Sequence, residues 1–446
     1  MVRPWALLGP VIVLLIAAPL LRPLRDPGLG SAREVAAIET VRALLTRNTY
    51  DLPPAMATNE AVMQINGRLL AEDSPAFLTL LAAIARLIEA AGVTFSSNAL
   101  LLEYLLILFA AAVPTAFACG LLYRMSRIFE LPRPWRVGLA VACVLATGWI
   151  SYAVVLLPTA AATAGVVAAL ACLIHASGLK SPVRVAIWLA FAGLCGAGAV
   201  ALEPAAMGVL LLSPLVVMGM THSLRLRFLG LILLAAGAAI PLLTAASINR
   251  SLTGDAFPPS WHDASFEALI VPALPPISGD DLEPLTPSAW AAVGRGMNRL
   301  IVFTVGSHGV LSHFPVLLLG LAGASAVLHR HWPRPVKWLA GGCVGVLLAL
   351  LISGMAVPIR AADLDFAAPK LIIVSPPLLI WAGAWLRKRH GPIVWIIAAL
   401  AVAISTLISL LGAIVPTPPG GYTGYTAAEA TDRWLHPEEP AIARRR

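Results

Sequence analysis

Among the acidic residues between the first two long apolar runs of this sequence, Glu34, Glu72 and Asp73 are the candidates for chemistry. If residues 33–45 form a helix, Glu34 lies on its apolar face, within about 60° of Ile38, Val41 and Leu45. A carboxylate turned toward the protein interior must be paired, bound to a metal or used in catalysis. Glu34 is therefore either a functional group or a helix N-terminal carboxylate, which the helix dipole stabilises by about 0.3–1 kcal/mol.

Glu39 belongs to the same segment but points roughly 140° away from Glu34. Arg42 follows Glu39 by three residues. This spacing is typical of an exposed ion pair that contributes roughly 0.2–0.5 kcal/mol to a helix. We therefore expect Glu39 and Arg42 to form a solvated pair rather than part of a site.

The composition is that of a membrane protein. Of the 446 residues, 59% are hydrophobic and 12% are charged, the mean hydropathy is +0.84, and apolar runs of transmembrane length recur. The five cysteines lie in apolar runs without a CxxC spacing, which predicts neither a disulfide nor a zinc site. The net charge of +8 is spread over short loops, which membrane topology explains better than binding of nucleic acid.

We predict an all-α, polytopic membrane protein with about eleven transmembrane helices. The predicted spans cover residues 5–22, 98–123, 137–156, 158–177, 185–202, 205–221, 228–247, 308–328, 338–358, 371–386 and 392–415. Arg22 follows the first run directly and no small-residue cleavage site is evident, so this run is predicted to be an uncleaved anchor rather than a signal peptide.

Arginine and lysine are concentrated in alternate short loops, at residues 124–136, 180–184, 225–227, 330–337 and 387–389. Since positively charged loops remain in the cytoplasm, this pattern predicts a cytoplasmic N-terminus in the cell membrane. Residues 1–415 then form a transmembrane domain with long extracytoplasmic loops at 23–97 and 248–307. Residues 416–446, which begin with a Pro/Gly-rich stretch, are predicted to be a flexible extracytoplasmic tail.

A further apolar stretch lies inside the first long loop, at residues 74–93 (SPAFLTLLAAIARLIEAAGV). Arg86 and Glu89 interrupt it. We predict an interfacial helix that lies along the membrane surface, with a full span as the competing interpretation.

Four segments carry a resemblance to a known family. They are AREVAAIETVRALLTRNTYDLP followed by INGRLLAEDSPAFLTLLAA, then INRSLTGDAFPPSW, LIVFTVGSHGVLSHFPVLLLGLAG and DFAAPKLIIVSPPLLI. In type and order they resemble segments of the GT-C membrane glycosyltransferases, the group that contains protein O-mannosyltransferases and bacterial aminoarabinose transferases. The resemblance extends over most of the chain.

This resemblance implies an inverting transfer of a hexose or pentose from a polyprenyl-phosphate-linked donor. The acceptor would be a lipid, glycan or protein on the extracytoplasmic face. A carboxylate of the first loop would be the general base, a role open to Glu34, Glu72 and Asp73. The resemblance also leaves room for a divalent cation such as Mg²⁺ or Mn²⁺, which oxygen ligands suit.

Basic side chains would hold the phosphate of the lipid-linked donor, because a leaving phosphate in a low-dielectric site needs positive charge nearby. By resemblance the candidates are Arg360 and Lys370, with Lys370 at the position of a family arginine, together with Arg250. The alternative for each is an interfacial side chain whose charge reaches toward water.

The chain departs from the family pattern at Arg33, which stands where the family has an aspartate, and at Glu72 and Asp73, which fall in a segment where the family has a lysine. Two other functions therefore remain open. One is a catalytically impaired relative that binds lipid-linked sugar. The other is a membrane transporter or flippase, although a transporter would usually show internal repeats, and none is recognisable.

Two more carboxylates, Glu103 and Glu203, lie in apolar context near the predicted outer ends of their spans. Carboxylates at such positions are functional hypotheses by default. Glu203 precedes Pro204 at a predicted helix break, so hydration at the membrane interface is an equally good interpretation for it.

Overall fold

The computed structural model describes residues 4–21, 31–220, 223–262, 309–356, 369–388 and 390–415, with single residues and runs of two or three residues between and beyond these ranges. Most of the second long loop, the candidate Arg360 and most of the predicted tail at 416–446 lie outside the described residues.

The elements of the first half of the chain are α1 (Trp5–Ala17), α2 (Ala32–Thr46), β1 (Val62–Ile65), β2 (Arg68–Ala71), α3 (Pro75–Ala90), α4 (Phe95–Ile107), α5 (Val113–Met125), α6 (Arg133–Leu145), α7 (Trp149–Ala153), α8 (Pro158–Ser177), α9 (Pro182–Leu202), α10 (Met207–Met218) and α11 (Leu224–Thr253). Those of the second half are α12 (Val310–His313), α13 (Leu317–His329), α14 (Arg334–Ala356), α15 (Pro369–Ile372), α16 (Ser375–Leu379), α17 (Ala382–Leu386) and α18 (Pro392–Ile414).

Within the described residues, 6 helices are long and apolar enough to cross a membrane: Phe95–Phe129, Pro158–Ser177, Pro182–Leu202, Leu224–Thr253, Arg334–Ser353 and Pro392–Ile414. Shorter apolar helices cover Trp5–Leu20, Pro204–Met218, Leu317–His329 and Lys370–Leu386. The prediction of a helical, multi-pass membrane protein is therefore confirmed. The count of about eleven spans stays a prediction, as does the assignment of residues 1–415 to one domain.

The described part of the chain also contains a short β-hairpin that the all-α prediction omitted. Strands β1 and β2 pair antiparallel, with Ile65 opposite Arg68. Asn66 and Gly67 connect them with positive φ angles of 52° and 77°. Asn-Gly is the preferred pair for a two-residue turn of this kind, because both of its residues tolerate the left-handed conformation.

The hairpin joins the first loop to the C-terminal end of α11. The side-chain amide of Asn66 donates to the carbonyl of Thr253 (3.1 Å). Arg68 donates to the carbonyl of Ser251 (3.4 Å) and forms an ion pair with Asp51 (2.6 Å). These contacts fix the loop segment that leads from β2 into α3.

Helix α3 is the amphipathic helix predicted at residues 74–93. Its inner face buries apolar side chains against the protein, including Phe77, Leu81 and Ala85. Leu87 on the outer face is 74% exposed. The helix is not among the candidate spans of the described residues, which favours the interfacial interpretation over a full crossing.

Helices α9 and α11 pack in close contact through glycines. A Cβ atom at Gly193 of α9 would overlap the backbone carbonyl of Leu234, and one at Gly237 of α11 would overlap that of Ala190. Small residues are the usual means by which helices approach closely in membranes, where burial of apolar surface supplies little attraction. This contact sets the spacing of the two helices. The end of α9 contacts Ser74, and the end of α11 binds the hairpin.

Three of the predicted cytoplasmic loops, at residues 124–136, 330–337 and 387–389, lie together at one end of the helices. Arg387, which follows α17, forms an ion pair with Glu130 after α5 (2.8 Å) and lies over the ring of Trp332 (5.6 Å from its centroid). Arg136 of α6 lies over the ring of Tyr123 (4.1 Å). We call the opposite end, which carries α2, the hairpin and the ends of α9 and α11, the loop end. The side of the membrane that each end faces stays a prediction.

Gly193→Ala is expected to lower the free energy of unfolding by about 1–3 kcal/mol, because the added methyl group forces α9 away from α11. Thermal unfolding of the purified protein in detergent measures this. Gly198→Ala is the matched control on the same helix, since a Cβ there meets no atom within 4 Å. Equal stability of the two variants would contradict the close contact.

Candidate functional site

Glu34 lies at the start of α2, where Ser31 is the N-cap. Its Oε2 atom accepts hydrogen bonds from the backbone N–H (3.1 Å) and hydroxyl (3.3 Å) of Ser31, whose Oγ accepts one from the backbone N–H of Glu34 (3.2 Å). This reciprocal arrangement is a capping box, which satisfies backbone donors that the helix leaves unpaired. The helix N-terminal interpretation of Glu34 is therefore confirmed.

The other carboxylate oxygen of Glu34 reaches a distant part of the chain. Oε1 accepts a hydrogen bond from the backbone N–H of Leu156 (2.9 Å), in the turn between α7 and α8. Burial raises the pKa of Glu34 and the negative charge of Asp73 raises it further, while the hydrogen bonds from Leu156 and Ser31 lower it. Both oxygens already bind backbone groups, so Glu34 fixes α2 to α8. Its catalytic role stays a prediction.

Asp73, at the junction between β2 and α3, forms a buried ion pair with Arg33 of α2. The Nη2 atom of Arg33 lies 2.6 Å from Oδ1 of Asp73, and the two side chains are 13% and 1% exposed. The Oδ2 atom of Asp73 is buried and has no hydrogen-bond partner among the described residues. A buried carboxylate oxygen without a partner is energetically costly, which makes Oδ2 of Asp73 a candidate contact for a ligand group.

The same junction contacts the end of α9. The hydroxyl of Ser74 donates a hydrogen bond to the carbonyl of Ala201. Helix α9 ends at Leu202, and Glu203 has extended backbone angles (φ −144°, ψ 109°), as expected for a residue before proline. This break brings Glu203 to the loop end of the helices, near Asp73.

Glu203 interacts electrostatically with charged groups from three other parts of the chain. Burial raises the pKa of Glu203. The positive charges of Arg33 and Lys370 lower this pKa, the negative charge of Asp73 raises it, and a hydrogen bond from the backbone of Ala205 lowers it. The side chain nevertheless keeps part of its surface accessible. A raised pKa with specific charged neighbours is frequent at functional sites.

We call Arg33, Asp73, Glu203 and Lys370 the charged cluster. Its members come from α2, the β2–α3 junction, the α9–α10 break and α15. Together they supply a carboxylate oxygen that could accept a proton and two cations that could bind an anion such as a phosphate.

The structure brings only some of the sequence candidates together. Asp73 and Lys370 belong to the charged cluster, and Glu72 precedes Asp73 with a partly exposed side chain. Arg250 is exposed in the last turn of α11, next to the residues that bind the hairpin.

Glu103 is buried inside the span that starts at Phe95. Glu39 and Arg42 form the predicted surface ion pair (2.6 Å).

Two members of the cluster had no assigned role in the sequence prediction. Arg33 stood out only as a departure from the family pattern, because nothing in the sequence indicates a contact with a residue forty positions away. Glu203 was noted for its apolar context, and its functional interpretation stays a prediction. Its three charged neighbours lie far away in sequence, so the grouping was not predictable.

The described residues do not fit a divalent-cation site. They contain no group of three His, Cys, Asp or Glu side chains that could hold a metal ion. The guanidinium of Arg33 already occupies Oδ1 of Asp73, and its charge opposes a cation at that carboxylate. The cation implied by the resemblance stays a prediction.

Glu34→Ala is expected to lower the free energy of unfolding by about 2 kcal/mol or more, because it leaves the buried backbone donors of Ser31 and Leu156 without an acceptor. Denaturant titration in detergent, followed by circular dichroism, measures the change. Glu39→Ala, which removes only an exposed pair, should cost less than about 1 kcal/mol. An unchanged stability of Glu34→Ala would show that Glu34 does not hold α2 against the turn before α8.

The fold of the chain is similar to that of known membrane proteins. No family model matches the sequence, and no curated protein matches it. The oligosaccharyltransferase of Archaeoglobus fulgidus in complex with Zn and sulfate is 14% identical, with a TM-score of 0.58 over 98% of this chain and 56% of that one. ArnT from Cupriavidus metallidurans in the apo state is also 14% identical, with a TM-score of 0.53 over 90% of this chain and 63% of that one.

A second structure of ArnT, bound to undecaprenyl phosphate, gives a TM-score of 0.53 over 97% of this chain and 75% of that one. The chain thus matches these proteins along nearly its whole length but spans less than two thirds of the first two. At 14% identity the likeness concerns the fold and not the residues of the site. The chain shares the fold of these membrane proteins, and its low identity to them makes it a divergent example of that fold.

Proposed function

We propose that this protein is a membrane glycosyltransferase that transfers a sugar from a polyprenyl-phosphate-linked donor to an acceptor on the extracytoplasmic face. The observation that carries the proposal is the carboxylate of Asp73. One of its oxygens is held by Arg33, and the other is buried without a partner among the described residues. Asp73 also lies near Glu203, on which the charge of Lys370 acts as well.

Asp73 is the proposed general base. The acceptor hydroxyl transfers its proton to Oδ2 of Asp73, and its oxygen forms a bond to the anomeric carbon of the sugar. The bond between that carbon and the phosphate oxygen breaks, and its electron pair leaves with the polyprenyl phosphate. A base of this kind must lie within hydrogen-bond reach of the hydroxyl, and Oδ2 is the oxygen that has capacity to accept such a bond.

Arg33 and Glu34 are proposed to position the base rather than to react. Arg33 fixes the orientation of the Asp73 carboxylate through Oδ1, which directs Oδ2 away from the ion pair. Glu34 holds the start of α2, and therefore Arg33, against α8. A side chain locked by a neighbour of this kind is the usual way in which a reactive group is held in productive geometry.

Lys370 is the proposed contact to the donor phosphate. It is exposed at the loop end, in the short helix α15. Its positive charge, like that of Arg33, acts on the carboxyl group of Glu203. A cation here stabilises the negative charge that develops on the leaving phosphate. Arg250 and Arg360 remain candidates for the same role, and Arg360 lies outside the described residues.

The donor class is supported by what the proteins of the same fold bind. ArnT from Cupriavidus metallidurans has been solved with undecaprenyl phosphate, and AglB from Archaeoglobus fulgidus with a dolichol-phosphate and an inhibitory peptide. Both lipids combine an apolar polyprenyl chain with a phosphate, which matches a charged cluster beside membrane-spanning helices. The predicted extracytoplasmic position rests on the scarcity of positive charge in the short loops at this end.

Asp73→Asn should reduce sugar release from an undecaprenyl-phosphate-linked donor by about 100-fold or more, because the amide cannot accept the proton. The assay uses the full-length protein in lipid nanodiscs and measures free undecaprenyl phosphate over time. Glu39→Gln, which alters only the exposed pair with Arg42, is the matched control and should retain full turnover.

Glu72→Gln separates the two adjacent carboxylates in the same assay. Turnover that survives Asp73→Asn but is lost in Glu72→Gln would make Glu72 the base and contradict the role of Asp73. A parent protein that binds the donor but releases no sugar would instead favour the catalytically impaired relative, the function that Arg33 at the family aspartate position suggests.

A further inference from the structure

One carboxyl group of the charged cluster, that of Glu203, has no role in the proposed transfer reaction. Glu203 lies between the span Pro182–Leu202 and the shorter apolar helix Pro204–Met218. Pro204 ends α9 and forces extended backbone at Glu203, so the side chain leaves the helix at the loop end. The contact between Ser74 and Ala201 fixes this break next to Asp73. Glu203 is thus held by two independent features of the backbone.

The charged groups that act on Glu203 come from each neighbouring element of the cluster. Arg33 of α2 and Lys370 of α15 are cations, and Asp73 before α3 is an anion. The two cations lie near Glu203, and they are the groups that would attract a phosphate into the cluster. A phosphate bound there would be a close neighbour of the Glu203 carboxyl group.

We propose that Glu203 binds the phosphate of the lipid-linked donor directly, as a neutral carboxyl group that donates a hydrogen bond to a phosphate oxygen. This assignment rests on the proposed function, because it takes the donor phosphate as the ligand of the cluster. An ionised Glu203 would repel the phosphate. A protonated Glu203 adds its own O–H hydrogen-bond donor to the N–H donors of the two cations.

The surroundings of Glu203 favour the neutral form. Burial raises its pKa and Asp73 raises it further, against the opposing effect of Arg33 and Lys370. A bound phosphate adds negative charge at short range, and this raises the pKa again. Since a raised pKa keeps the acid protonated to higher pH, phosphate binding through Glu203 is present at low pH and lost as pH rises through the pKa of the complex.

The test measures binding rather than turnover, with full-length protein in lipid nanodiscs and undecaprenyl phosphate as the probe. Glu203→Gln should bind within about threefold of the parent, since its amide also donates a neutral hydrogen bond. Glu203→Ala should bind about 10- to 100-fold more weakly, the usual effect of losing a hydrogen bond to a charged group. Glu39→Ala, which changes only an exposed carboxylate, should bind as the parent does.

The pH dependence separates binding from a merely structural role. The phosphate itself titrates near pH 6, and this contribution is common to all variants. The parent should lose additional affinity as pH rises, while Glu203→Gln should lack that additional loss. Undecaprenol, which has no phosphate, should show no difference between the parent and Glu203→Ala, and inorganic phosphate shows whether the headgroup alone is sufficient for the effect.

Several outcomes would overturn the assignment. Equal affinity of Glu203→Ala and the parent, or identical pH profiles of Glu203→Gln and the parent, would remove Glu203 from phosphate binding and leave the proposed transfer reaction standing. Glu203-dependent binding in a protein that releases no sugar would leave the phosphate site standing and contradict the transfer reaction. Absence of binding by the folded parent would overturn both.

Discussion

The site depends on the ion pair between Arg33 and Asp73, whose atoms approach to 2.6 Å inside the protein. Removing two charges from water costs several kcal/mol per ion in typical proteins, roughly what their mutual attraction returns. The main effect of the ion pair is therefore to position the Asp73 carboxylate rather than to stabilise the fold. It joins the start of α2 to the junction between the hairpin and α3, and it leaves the second oxygen of Asp73 for another group.

The remaining contacts hold the two partners of that ion pair in place. On one side, the capping box of Ser31 and Glu34 fixes the first turn of α2, and the bond from Leu156 ties it to α8. On the other side, the hairpin is bound to the end of α11, and Ser74 is bound to the end of α9. The close packing of α9 against α11 then determines the spacing of these two supports. The charged cluster is thus the meeting point of elements that are remote in sequence.

Much of this architecture could be predicted because its causes are local. Apolar runs predict the spans, and the Ser-x-x-Glu pattern from Ser31 to Glu34 is a capping-box signature. Asn66-Gly67 was an equally local hairpin signal, which the all-α prediction overlooked. The pairing of Arg33 with Asp73 was not predictable, because it depends on how a hairpin folds back onto α2. The same holds for Glu203, whose charged neighbours lie on three other elements.

The charged cluster is proposed to receive the phosphate of a polyprenyl-linked donor, with Asp73 beside the reacting sugar. A structure of the full-length protein in a nanodisc with undecaprenyl phosphate tests this most directly. The phosphate oxygens are expected within hydrogen-bond distance, about 3 Å, of both Lys370 and Glu203, with the Arg33–Asp73 ion pair intact. A phosphate bound elsewhere, with Lys370 and Glu203 beyond about 3.5 Å of its oxygens, would contradict the account.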